Sequence, residues 1–85
     1  MELEWKQFDQ DWGGTRYKAT GESGNIYNVH DKKGLITGLD GKPSYVRFNA
    51  YLPGGEVKLF EFDCTNADDA KRQCEQFEKT RTLEA

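Results

Sequence analysis

The chain has 85 residues, with 12 Lys and Arg against 15 Asp and Glu for a net charge of -3, and it is 35% hydrophobic and 13% aromatic. That length limits it to a single domain spanning residues 1–85. Leu, Ile, Val and Phe total 16 residues, about 19%, which would point to disorder at high net charge. The net charge is low, and 11 aromatic side chains, each able to bury roughly 150–250 Å², supply a thin core.

The opening Met1-Glu2-Leu3-Glu4-Trp5 has no basic segment followed by an apolar one, which predicts no secretory leader. No apolar run approaches the roughly 18 residues that cross a bilayer. The expectation is a soluble, cytoplasmic protein. Leu3, Trp5, Phe8 and Trp12 follow neither the helix nor the strand period, and residues 1–12 are read as a short edge strand around 3–8 or an arm. As an arm, the segment would carry Trp5 and Trp12 across one side of the sheet.

Residues 14–63 read as antiparallel sheet. Glu22-Ser23-Gly24, Lys32-Lys33-Gly34 and Pro53-Gly54-Gly55 each place two turn-forming residues before a Gly able to take positive φ. Each is the pattern of a three-residue hairpin with a type I turn and a G1 bulge. Asp40-Gly41 marks a further hairpin, of two residues, or of four if Pro43 extends it.

These turns predict register. Across Glu22-Ser23-Gly24, Ala19 faces Tyr27 and Tyr17 faces Val29; across Lys32-Lys33-Gly34, Val29 and Tyr27 face Thr37 and Leu39. Across Pro53-Gly54-Gly55, Phe48 faces Phe60, Val46 faces Phe62, Arg47 faces Glu61 and Tyr51 faces Val57. Apolar then meets apolar and charge meets charge, as cross-strand energetics favour.

Residues 66–80 read as a helix. Thr65 or Asn66 caps it, Asp68 and Asp69 occupy the first turn, and Lys79 and Arg81 lie near the end, which suits the helix dipole. Ala67, Ala70, Cys74 and Phe77 form one apolar stripe, with Asp68 to Arg72 and Glu75 to Lys79 as exposed i,i+4 pairs. That helix rise, about 1.5 Å per residue, also keeps Cys64 and Cys74 beyond the ~7 Å reach of a disulfide. The predicted fold is α+β: a two-layer, four- to five-stranded antiparallel meander with one C-terminal helix packed on one face.

One such helix leaves the other face open. That face is predicted to present Arg16, Lys18, Tyr45, Arg47, Tyr51, Val57 and Leu59, and grouped exposed apolar residues with Tyr and Arg mark interfaces. Charge is unevenly spread: residues 1–12 sum to -3, residues 13–51 to +3 and residues 52–85 to -3. A basic, aromatic-bearing sheet can stack bases and contact phosphates, but a pI near 5.1 is far from the footprint of a nucleic-acid binder.

Chemistry is sparse. His30, the one histidine, is placed opposite Arg16 with no triad spacing around it. Asp68 and Asp69 diverge around the helix and serve its N-terminus. Two Cys and one His lack zinc-site spacing, and neither Gly13-Gly14 nor Gly54-Gly55 opens a phosphate loop. No catalytic, cofactor or metal site is expected.

The run Trp12-Gly13-Gly14-x-x-Tyr17-x-Ala19, then Gly24-x-Ile26-Tyr27-x-Val29, then Asp69-Ala70-Lys71 and Cys74-Glu75, resembles small phage or prophage proteins built as a strand meander with a C-terminal helix. The resemblance spans about residues 12–78. It implies a non-enzymatic protein that binds and blocks a host factor, bacterial defence systems included. A weaker similarity is to the single-stranded-DNA-binding coactivator fold, from which the strand lengths, the acidic helix and the lack of a basic N-terminal arm depart. The expectation is a protein-binding module whose partner, a host factor or a second copy of the chain, sits on the open face. The alternative is single-stranded nucleic acid on that face.

Overall fold

Strand-forming segments separated by glycine turns build one antiparallel sheet, closed on one side by a helix. The computed structural model describes residues 3–9, 14–37 and 43–80, with side chains outside 33–45. In chain order the elements are β1 (Lys6–Asp9), β2 (Thr15–Thr20), β3 (Ile26–Thr37), β4 (Pro43–Tyr51), β5 (Lys58–Cys64) and α1 (Ala67–Thr80). The strands pair in sequence order, β1-β2-β3-β4-β5, and α1 packs across β3, β4 and β5. The α+β meander with a C-terminal helix is the fold the turn grammar predicts. No helix among the described residues is long and apolar enough to cross a membrane.

The β2–β3 hairpin has its expected register, Tyr17 against Val29 and Ala19 against Tyr27. Gly24 holds φ at +90°, and its N–H donates to Gly21 O at 3.0 Å, so the residue without a Cβ stands where the turn needs a left-handed conformation.

Lys32-Lys33-Gly34 is not a turn. β3 runs through it as one strand of 12 residues, and the ladder to β4 shifts register between Asp31 and Ile36. Lys32 to Leu35 stand opposite the single residue Tyr45, so the glycine marks an irregularity within a strand, the other meaning a Gly in a sheet carries. Val29 and Tyr27 therefore face Phe48 and Ala50, not Thr37 and Leu39. The Asp40-Gly41 turn lies outside the described residues.

The β4–β5 register is displaced from the expected one, by one residue at Tyr51 and by two from Ala50 onwards. Phe48 faces Phe62, Val46 faces Cys64, Arg47 faces Asp63 and Tyr51 faces Lys58. The loop is longer than three residues: Gly55 N donates to Leu52 O and Leu52 N to Val57 O, both at 2.9 Å. Pro53 followed by Gly54 at φ +95° makes the first of these a type II turn. Leu59 is then the extra residue of a bulge between Lys58 and Phe60, which returns every apolar residue beyond it to the helix side.

The core consists of Leu3, Ala19, Tyr27, Val29, Val46, Phe48, Ala50 and Phe60 from the sheet side and Ala70 and Cys74 from the helix. Phe77 joins it edge-on to Phe60, with ring centroids 5.0 Å apart, and to Tyr27, at 6.5 Å. Phe62, expected in this core, stacks on Phe60 but is 45% exposed, because it lies on edge strand β5 at the border of the helix.

Asn66 is the helix cap, accepting from Asp69 N at 2.7 Å. Arg72 donates to Asp69 at 2.6 Å, and the Asp69 carboxyl is held below its ordinary range by that bond. Glu75, expected to face solvent, and Glu78 both bind the rest of the fold. Glu75 accepts from Leu3 N at 3.0 Å and from Trp5 Nε1 at 3.4 Å. Glu78 is buried, accepting from Ser23 N at 3.0 Å, Ser23 Oγ at 2.8 Å and Tyr27 OH at 2.7 Å. A carboxylate near a helix C-terminus opposes the dipole; here three hydrogen bonds offset that cost and fasten α1 to the β2–β3 turn. Cys64 and Cys74 are free, and burial pushes the Cys74 thiol up to about 12.

Candidate functional site: the open sheet face

Side chains alternate across a strand, so Tyr27 and Val29 in the core put Asn28 and His30 on the opposite face. Leu3 and Trp5 pack on the helix side, and so the described N-terminal segment does not cross the open face. Trp12 lies outside the described residues.

The face is organised as cross-strand rows. Along the row Lys18, Asn28, Asn49 and Glu61, Arg16 Nη2 reaches diagonally from the next row to donate to Asn28 Oδ1 at 3.1 Å, Asn28 Nδ2 donates to Asn49 Oδ1 at 3.0 Å, and Asn49 Nδ2 to Glu61 Oε2 at 3.3 Å. This ladder spans β2, β3, β4 and β5. Its two asparagines are only 6% and 7% exposed although they stand on the uncovered side. Buried amides need partners on both ends: Arg16 and Asn49 supply those of Asn28, and Asn28 and Glu61 supply those of Asn49.

The next row is Arg16, His30, Arg47 and Asp63. Arg47 Nε donates to Asp63 Oδ1 at 2.9 Å, where sequence reasoning pairs it with Glu61; the two-residue register displacement accounts for the change. That hydrogen bond raises the Arg47 guanidinium further above its ordinary value. His30 lies opposite Arg16 on one side and Arg47 on the other. Burial first, then Arg16 and Lys32, hold its imidazole below the ordinary 6.5, against an upward pull from Glu61.

Of the residues singled out from sequence, Arg16, Lys18, Arg47 and Tyr51 come together on this face through the strand registers. The Tyr45 side chain lies outside those described. Val57, 54% exposed, and Leu59 belong with exposed Leu52 to the β4–β5 hairpin end of the sheet. Lys6 and Phe8, which the sequence does not single out, also belong here: β1 sets Lys6 opposite Lys18 and Phe8 opposite Arg16. Among the described residues, the centre of the face is thus a hydrogen-bonded polar array, with exposed apolar residues at the hairpin end and at Phe8.

Among the described residues no group of three His, Cys, Asp or Glu side chains could hold a metal ion. Comparison with family models, curated proteins and solved structures finds no match.

Proposed function

We propose that this chain is a non-catalytic protein-binding module that works through its open sheet face and the adjoining β4–β5 hairpin, acting inside the cell as a phage-type inhibitor of a host factor. The observation that carries the reading is that Leu52, Val57 and Leu59, gathered at the β4–β5 hairpin beside the open face, are all exposed. Exposed apolar residues grouped beside a polar array have the composition of an interface core with its rim. The polar array supports the same reading, since the Asn28 and Asn49 amides and the Arg47–Asp63 pair are already satisfied laterally and a partner can cover them without orphaning those groups.

The nucleic-acid alternative draws on Arg16, Lys18, Arg47 and the tyrosines. Arg47 is engaged by Asp63, and Glu61 and Asp63 line the β5 side of the face, where a phosphate chain would meet carboxylates. Capture of a host protein from lysate tests the reading when run with wild type, Tyr51→Lys, Val57→Glu and, as a control on the far side of the helix, Lys79→Ala. Loss of one specific captured protein with both face variants and retention with Lys79→Ala is expected. Equal capture by all four overturns the surface, and retention of single-stranded oligonucleotides that falls steeply with salt favours the alternative.

A further inference from the structure

On the β4–β5 side of the open face, cations and carboxylates pair off: Arg47 with Asp63 at 2.9 Å and Lys58 with Glu61 at 3.5 Å. The β1–β2 side differs. Lys6 and Lys18 are direct cross-strand neighbours, an arrangement of like charges that costs free energy in a sheet. Neither forms an ion pair among the described residues, and neither does Arg16. Arg16 is steered by Asn28, and its Nε is buried without an acceptor. Beside them the Phe8 ring is 47% exposed.

A recess of about 410 Å³ opens here, lined by Glu4, Lys6, Phe8, Lys18, Ala19 and Thr20. Glu4 makes no ion pair with either lysine among the described residues, so the recess and its Arg16 border stay net positive.

Resting on the protein-binding reading above, we propose that this strip is where the partner is recognised, and that the partner presents there an acidic protein segment, carboxylates for Lys6, Lys18 and Arg16 around an apolar side chain for Phe8. A carboxylate between Lys6 and Lys18 relieves their mutual repulsion, and exposed charges of this kind mainly set encounter rate and choice of partner. A protein fits better than a nucleic acid because the strip offers a single exposed ring. Stacking of successive bases needs several, and the chain as a whole carries a net charge of -3.

The test is an NMR titration of the full chain with a short synthetic peptide of alternating Glu and Leu, at low and at physiological salt. Amide shifts centred on Lys6, Phe8, Arg16 and Lys18 are expected. The combined Lys6→Glu, Lys18→Glu variant should weaken binding by about tenfold or more, while Lys79→Glu on the helix leaves it unchanged. Shifts centred on β5 overturn the proposal, and so does a thymidine oligonucleotide that moves the same amides at lower concentration. Peptide titration without shifts in β1 and β2, alongside host-protein capture that still depends on Tyr51, overturns the acidic-strip inference alone. Capture indifferent to both Tyr51→Lys and Lys18→Glu removes the open-face reading with it.

Discussion

Tyr27 and Asn28 are consecutive residues of β3, and both are nearly closed to solvent, at 0% and 6% exposure, on opposite faces of the sheet. Tyr27 is enclosed by the helix, against Phe77 and under Glu78. Asn28 has no covering layer among the described residues and is enclosed by Arg16 on one side and Asn49 on the other. The first face gains stability by removing rings from water, with one carboxylate fixing how the helix sits. The second gains less per residue, because lateral hydrogen bonds replace bonds to water that the unfolded chain already makes. A five-stranded sheet with a single helix can therefore keep one face flat, ordered and available.

Variants that act on one face at a time sharpen that contrast. The largest effect is expected at Glu78, where replacement by Ala removes the carboxylate that accepts from the Tyr27 hydroxyl and both Ser23 donors. It should cost about 3 kcal/mol, since hydrogen bonds to a charged group are worth roughly 1.5–3 kcal/mol each and partial rehydration recovers some of the loss. Glu78→Gln, which keeps an acceptor, should fall between. Gly21→Ala should also destabilise, because a Cβ at that position meets the Glu78 carboxylate. Urea unfolding midpoints measure all three, and a Glu78→Ala variant as stable as wild type would show that the latch holds nothing.

On the open face the expected effect is smaller. Asn49→Ala removes the centre of the ladder and leaves Asn28 Nδ2 without its acceptor, at a cost of about 1–2 kcal/mol. Asn28→Ala and Asn49→Ala share one hydrogen bond, so the double variant should lose less than the sum of the singles. Strict additivity in the same urea assay would mean that the ladder is a set of independent contacts.

The two faces were also unequally legible in the sequence. The β2–β3 hairpin and the helix follow from local chemistry, a glycine at a left-handed position and an apolar stripe behind an Asn cap. β3 misleads because Lys-Lys-Gly suits a turn and a strand irregularity equally. The β4–β5 register misleads for a subtler reason: a two-residue displacement preserves which side each residue faces, so Phe48 meets a phenylalanine either way. The charged partner changes, Asp63 for Glu61, and the correct ladder through Asn49 is hidden with it. Glu75 and Glu78 look like solvent residues because helix periodicity reports a face, not a hydrogen-bond partner. The sequence does not assign Lys6 and Phe8 to a face because four residues of edge strand are too few to show a period.

The smallest expected effect lies at the junction of the two halves of the open face. His30 stands between Arg16 and Arg47, and burial together with Arg16 and Lys32 lowers its pKa below 6.5. Above 6.5 the imidazole is neutral in the folded and unfolded chains alike and contributes no pH dependence. As pH falls through 6.5 the unfolded chain takes up the proton first, so stability declines. The decline is complete once pH has passed below the lowered folded value, where both states are protonated. His30→Gln removes that proton uptake. Its thermal midpoint should therefore drop less than that of wild type as pH is lowered from neutral through the weakly acidic range. Asp69 does not confuse the reading, because its carboxyl, held down by Arg72, titrates below 3.8. Parallel midpoint curves for the two proteins would mean that His30 is as free to take up a proton in the fold as outside it. The cationic side of the open face would then not reach it across β2 and β3.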